Sequence, residues 1–224
     1  MSGPRVERRQ GLSGERLSRE LLADGVVHAL GLALGSVGAA ALVSLAVFYA
    51  NPVLVAPLLV YAGGLVAMLG CSAAYNLQRS SRRRDWLRRF DHAAIFAMIA
   101  GTYTPFTILG LQGGWSSGLT VAIWSVAAIG IALKLWQPRR IEAISVALYL
   151  GLGWIGLIAL QPFMAAFDTA TLALLATGGI LYSVGVVFHL WRRLPFHNAI
   201  WHGFVLVAAG LHYFAVLTVI PTFG

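Results

Sequence analysis

Charged side chains and cysteine are both scarce in this chain of 224 residues. Charged residues make up 11% of the sequence. A soluble domain carries about a quarter, so the composition excludes a soluble globular protein. Cys71 is the single cysteine, which excludes an internal disulfide. No internal repeat is visible in the sequence, and a transporter built from inverted repeats therefore has no support.

Long apolar runs are what the sequence has in abundance. Hydrophobic residues make up 58% of the chain, and the mean hydropathy is +0.78. A helix needs about 20 apolar residues to cross a bilayer, and seven runs qualify. They cover residues 26–50, 53–77, 91–111, 119–136, 141–160, 171–190 and 199–220. The sequence therefore predicts an all-α fold, a single bundle of seven transmembrane helices.

The basic residues are distributed unevenly between the two ends of the predicted bundle. All 16 lie before the first run or beside the connections that follow the second, fourth and sixth runs. The positive-inside rule then places the N-terminus in the cytoplasm and the C-terminus outside it. The role of the basic residues in membrane orientation explains the net charge of +8, so no nucleic-acid partner is expected. Residues 1–19 are predicted to form a disordered basic arm that contacts anionic lipid, and residues 20–224 form the membrane domain.

Polar side chains gather at the predicted cytoplasmic ends of four runs. Glu20, Asp24 and His28 are spaced by four residues and therefore share one helix face. The other members are Ser72 and Asn76 at the end of the second run, Asp91 at the start of the third, and His197, Asn198 and His202 at the start of the seventh. Ionisable groups inside a membrane are costly and by default indicate function. The pattern predicts one inward-facing polar vestibule.

Structural roles would explain several of these residues one at a time. Asp91 and Asn198 are plausible N-caps of their helices, where a side-chain oxygen accepts from exposed amide groups. Glu20 and Asp24 could pair with nearby arginines. Only the gathering of polar groups from four helices at one depth favours a shared site.

Three segments resemble the hemolysin III family, the bacterial branch of the progestin and adipoQ receptors. They are "ELLADGVVHALGLALG", "CSAAYNLQRSSRRRDWLRRFDHAAIFAMIAGTYTPF" and "FHNAIWHGFVLVAAGLHYFAVL". The resemblance covers the chain from about Glu20 onwards and implies seven spans in the bacterial plasma (inner) membrane. It also implies a zinc ion near the cytoplasmic face. The implied zinc ligands are three histidines. One stands in a Ser-x-x-x-His pattern that ends span two, and the other two stand in a His-x-x-x-His pattern that opens span seven. An aspartate of span three lies beside the zinc ion.

This chain keeps only part of that zinc-binding set. Ser72, Asp91 and His202 match the family's serine, its aspartate and one of its histidines. However, Asn76 and Asn198 stand at the other two histidine positions. A neutral amide is a poor zinc ligand compared with imidazole or thiolate. The resemblance therefore predicts a degenerate zinc site.

Three arrangements could compensate for the missing histidines. Asn76 and Asn198 could hydrogen-bond to each other, since each amide both donates and accepts. His197 could turn towards the site, although neighbouring residues on a helix point about 100° apart. His28 could reach across from the first run, with added charge from Asp24, which stands where the family typically has asparagine.

Three functions follow from these observations. The favoured one is a membrane-homeostasis or lipid-sensing factor whose partners are membrane lipids. The alternative is a metal-dependent hydrolase of lipid amides or esters, with Asp91 as base, His202 as ligand and Ser72 as an orienting group. A channel or pore-forming protein is the second alternative. The sequence leaves open whether the chain is an enzyme.

Overall fold

The computed structural model describes the backbone of residues 4–49, 52–78, 81–136 and 144–220, and all regular structure in this part of the chain is helical. The helices are α1 (Pro4–Tyr49), α2 (Pro52–Leu77), α3 (Ser81–Pro105), α4 (Gly113–Trp136), α5 (Ser145–Gly153), α6 (Leu160–Ala166), α7 (Thr169–Leu190) and α8 (His197–Val219). Within these described residues, seven segments are long and apolar enough to cross a membrane, which confirms the predicted bundle.

The observed spans differ from the predicted ones at several ends: the third begins at Arg83 and the fourth at Gly113, both earlier than predicted. The first apolar span covers Leu17–Phe48 and the fifth covers Ser145–Ala166; residues 141–143 of the predicted fifth run lie outside the described part of the chain. Helix α1 begins at Pro4, whereas the sequence predicts a disordered arm over residues 1–19. Straight-chain Glu, Arg and Leu in "GERLSRELL" favour a helix there.

Small residues let helix α1 lie close to helix α2. Gly31 and Gly35 are both buried on α1, and both face Leu69 of α2. A Cβ atom at Gly35 would lie 2.2 Å from the Leu69 Cδ1 atom, well inside van der Waals contact. Close approach through glycine is a common way to pack membrane helices. It brings the polar ends of α1 and α2 together.

The third span changes its helix type at Pro105. Helix α3 ends at this proline, and a π-helical turn covers Phe106–Gly110. Proline lacks the amide donor that an α-helix needs, so a local irregularity is expected. The Thr102 and Thr104 hydroxyls each donate to the carbonyl four residues earlier at 2.8 Å, and neither bonds the carbonyl that Pro105 leaves free.

The fifth span is broken in its middle. Helix α5 ends at Gly153, a 3-10 segment covers Ile155–Ala159, and helix α6 follows. The Tyr103 hydroxyl of α3 fills the break, because it donates to the Gly153 carbonyl at 2.5 Å and accepts from the Gly156 amide at 3.1 Å. Irregular backbone within a membrane survives only where its polar groups find partners. Tyr103 supplies both partners here.

Candidate functional site

Three ionisable side chains converge at one end of the bundle. Asp24 and His28 come from α1 and His202 from α8, and one potential ligand atom from each lies within 4.8 Å of the other two. Asp24 and His28 are only 8% and 7% exposed. Their spacing of four residues places both on the α1 face that meets α8. The sequence-predicted vestibule therefore has a compact centre.

Asp24 binds both imidazole rings of this centre. His202 donates from Nδ1 to the Asp24 carboxylate oxygen Oδ1 at 2.6 Å, a short charge-assisted bond. His28 donates from Nδ1 to the Asp24 backbone carbonyl at 2.8 Å. The two rings meet edge to face, with centroids 4.3 Å apart. With hydrogen on Nδ1, each ring keeps a lone pair on Nε2.

Helix α2 closes the site with an amide and a hydroxyl. Ser72 Oγ and Asn76 Nδ2 each lie 3.2 Å from His28 Nε2 and can donate to it. Asn76 Nδ2 also donates to the Ser72 carbonyl at 2.9 Å, one turn back along the helix. These bonds hold α2 against α1 at the polar end of the bundle, and they direct Asn76 towards α1 rather than α8.

Asp91 stands beside this centre on α3. Its carboxylate lies within interaction range of the Ser72 hydroxyl and of the His202 ring. Helix α3 begins ten residues earlier, at Ser81, so Asp91 lies inside the helix. The interpretation of Asp91 as an N-cap is therefore wrong, because the helix has no free amide groups left to cap at that point.

The start of α8 differs from the sequence interpretation. Helix α8 begins at His197, and the cap position is Phe196, whose φ of 59° is in the left-handed region. Asn198 is therefore not the N-cap. It is exposed, so it does not form the predicted reciprocal bond with Asn76. His197 lies outside the three-residue group, and within the described residues its buried Nδ1 atom has no hydrogen-bond partner.

The zinc-binding set that the resemblance implies does not fit this chain. Asn76 and Asn198 would have to act as two of its ligands, but one amide is bonded within α1 and α2 and the other faces outward. Asp24, His28 and His202 could instead hold a cation, because carboxylate and imidazole are accepted zinc ligands. Glu20 precedes Asp24 by one turn and lies outside that group.

Sequence reasoning missed the central position of Asp24. It treated Asp24 as added charge, whereas this residue binds both rings. The spacing of four residues between Asp24 and His28 was the available signal. It also treated Lys134 as part of a cytoplasmic flank, but this side chain is only 1% exposed in the last turn of α4. Nothing in the local sequence indicated that burial.

Similarity to known proteins covers most of the chain. Residues 17–213 match the family described as Haemolysin-III related. The Hemolysin-3 homolog of Bacillus subtilis (strain 168) is 35% identical over 199 residues, which is 89% of this chain and 93% of that protein. Hemolysin-3 of Bacillus cereus is 44% identical over 135 residues, or 59% and 61% of the two chains.

A mammalian protein is also similar to this chain. The human Monocyte to macrophage differentiation factor is 30% identical over 165 residues, covering 70% of this chain and 67% of its own length. The family match includes Asp24, His28 and His202 and extends from the first apolar span into the seventh. The chain is therefore a multi-pass membrane protein that belongs to the haemolysin III family.

Proposed function

We propose that the protein is a lipid-sensing or membrane-homeostasis factor of the bacterial plasma membrane, with its polar centre at the cytoplasmic face. The positions of the 16 basic residues support that orientation. The sensing surface is an open groove between the end of α2 and the start of α3. This groove is the observation that carries the proposal.

The groove has the chemistry of an anionic phospholipid site. Its volume is about 830 Å³, and it combines apolar and aromatic walls with one guanidinium group. The lining residues are Ala74, Leu77, Gln78, Arg83, Trp86, Leu87 and Phe90. Trp86 is about half exposed, as expected for an aromatic side chain at a membrane interface. Acyl chains would contact the walls, and Arg83 would bind the phosphate.

The groove lies next to the polar centre along both of its helices. Leu77 follows Asn76 on α2, and Phe90 precedes Asp91 on α3. A lipid that shifts α2 against α3 would therefore change the bonds that Asn76 and Ser72 make with His28. This connection supports a sensing role over simple lipid adhesion.

Replacing Arg83 should weaken binding of anionic lipid. We expect Arg83→Gln to lower the affinity for phosphatidylglycerol roughly fivefold, since one basic residue near the surface contributes about 1 kcal/mol. Native mass spectrometry of the purified protein in detergent measures it, with phosphatidylcholine of the same chains as the neutral lipid. Arg192→Gln is the matched control, because Arg192 is exposed in the α7–α8 turn. Equal losses of phosphatidylglycerol affinity in the two variants would count against the groove as the lipid-binding site.

A second function is supported by the contact between Asp91 and Ser72. A carboxylate and a hydroxyl beside an imidazole form a proton-accepting and orienting pair that suits hydrolysis of a lipid amide or ester. Asp91 would accept a proton from the attacking water, and Ser72 would orient that water. This candidate is the metal-dependent membrane hydrolase.

Lipid turnover separates the two functions. If the protein is a hydrolase, it should release fatty acid from ceramide or a phospholipid, and Asp91→Asn should lower that rate at least about 100-fold. Asp168→Asn is the control, because Asp168 is an exposed N-cap of α7 and asparagine also caps helices. The hydrogen bonds to Thr171 hold the pKa of the Asp168 carboxyl below its usual value. Absence of release from either lipid would leave lipid sensing as the function.

A further inference from the structure

We propose that Asp24, His28 and His202 form a zinc-class metal site whose ligands come from α1 and α8. The position of this site differs from the one that the family pattern implies, which uses α2 and α8. The proposal does not depend on the lipid-sensing role, because the groove and this centre share no residue.

The spacing of the three side chains suits one small cation. Tetrahedral zinc with nitrogen or oxygen ligands holds its ligand atoms roughly 3.3 Å apart. The three potential ligand atoms here already lie within 4.8 Å of one another. Binding of an ion would open the 2.6 Å hydrogen bond between His202 Nδ1 and the Asp24 carboxylate, because a metal would take the place of the shared hydrogen.

A backbone hydrogen bond prepares the His28 imidazole for a metal. His28 is fixed by the backbone carbonyl of Asp24, a residue on its own helix, so its ring orientation does not depend on the ion. Metal-binding histidines usually donate their second nitrogen in this way, which fixes the tautomer. His28 Nε2 lies 3.2 Å from each of two neutral donors, Ser72 Oγ and Asn76 Nδ2. A cation would replace them at that lone pair.

Charge and burial also favour a cation at this place. Asp24 is a buried carboxylate inside an apolar span, which is costly unless a positive charge compensates for it. In the family pattern asparagine stands at this position and histidine at position 76, whereas here Asp24 and Asn76 stand there. Asn76 contacts His28, which lies one turn from Asp24 on α1. Compared with the family pattern, two α1 ligands, Asp24 and His28, replace one ligand from α2 and one from α8, and His202 is kept as the third.

Zinc titration of the full-length protein tests the site. We expect the chelator-stripped wild-type protein in detergent to bind one Zn²⁺ per chain, measured by competition with a chromophoric chelator and by elemental analysis. Asp24→Asn and His28→Gln should each lower the zinc affinity by more than about 100-fold. Loss of a hydrogen-bond partner outside the ligand shell lowers metal affinity by at most about that factor, so a larger loss indicates a direct ligand. Zinc should raise the unfolding temperature of the wild-type protein but not of Asp24→Asn.

Asn198→Ala is the control that separates this site from the family's. Position 198 holds a ligand in the family pattern but is exposed here, so this variant should bind zinc like the wild-type protein. Asp24→Asn keeps the size of the side chain and an acceptor for His202, which guards against simple unfolding. Two results would overturn the proposal: a wild-type protein without stoichiometric zinc, or zinc that is retained by Asp24→Asn and lost from Asn198→Ala or His197→Gln.

Discussion

Asp24→Ala should lower the stability of the metal-free protein by about 3 kcal/mol, because the partly buried Nδ1 donor of His202 loses its charged acceptor. The unfolding temperature in excess chelator should then fall by roughly 8 °C. Chelator matters here, since it removes any stabilisation by a bound ion and leaves only the hydrogen bond. Differential scanning fluorimetry in detergent measures the change.

Asp24→Asn is the matched variant for this experiment. Its amide oxygen can still accept from His202 Nδ1, although without the charge, so the loss should be less than half as large. Equal losses in the two variants would mean that the carboxylate charge, and not the acceptor position, holds α8 against α1. An unchanged unfolding temperature in Asp24→Ala would contradict the central position given to this residue.

Tyr103→Phe should destabilise the bundle by about 3 kcal/mol, because one hydroxyl serves two backbone groups inside the membrane span. Without it, the Gly153 carbonyl and the Gly156 amide lose their partner at the break in the fifth span. The unfolding temperature should fall by roughly 8 °C. Thermal unfolding of the purified protein in detergent measures the loss.

Tyr75→Phe is the control for the loss of a tyrosine hydroxyl. Tyr75 contacts Arg84 through its ring, 5.2 Å from the guanidinium carbon, and phenylalanine keeps that contact. Its unfolding temperature should match that of the wild-type protein. If Tyr103→Phe is equally well tolerated, water or another side chain bonds the backbone groups at the break. Tyr103 would then not be what stabilises the fifth span.

The seven spans could be predicted because the length and hydrophobicity of each apolar run indicate a transmembrane helix, whatever its neighbours are. The break in the fifth span could not. The close spacing of Gly151, Gly153 and Gly156 is typical of helix-packing positions, yet a Cβ atom at Gly151 or Gly153 would meet nothing within 4 Å. The break depends on Tyr103, some 50 residues away in the sequence, and only the packed structure brings it there.

The polar centre shows the same limit. Sequence spacing correctly placed Asp24 and His28 on one face, since residues four apart lie one turn from each other. Packing sets the rotation of α1, α2 and α8 relative to one another. Because of this rotation, the Asn76 side chain contacts His28 and does not contact Asn198. Asn198 is exposed because α8 begins at His197, which leaves the first turn at the rim of the bundle.

An anomalous difference map at the zinc edge, from crystals grown with Zn²⁺, tests the metal site most directly. The account predicts one peak per chain, about 2.0–2.2 Å from an atom of each of Asp24, His28 and His202. A peak held by Asn76 and Asn198 without Asp24 would contradict it, and so would the absence of a peak between α1 and α8.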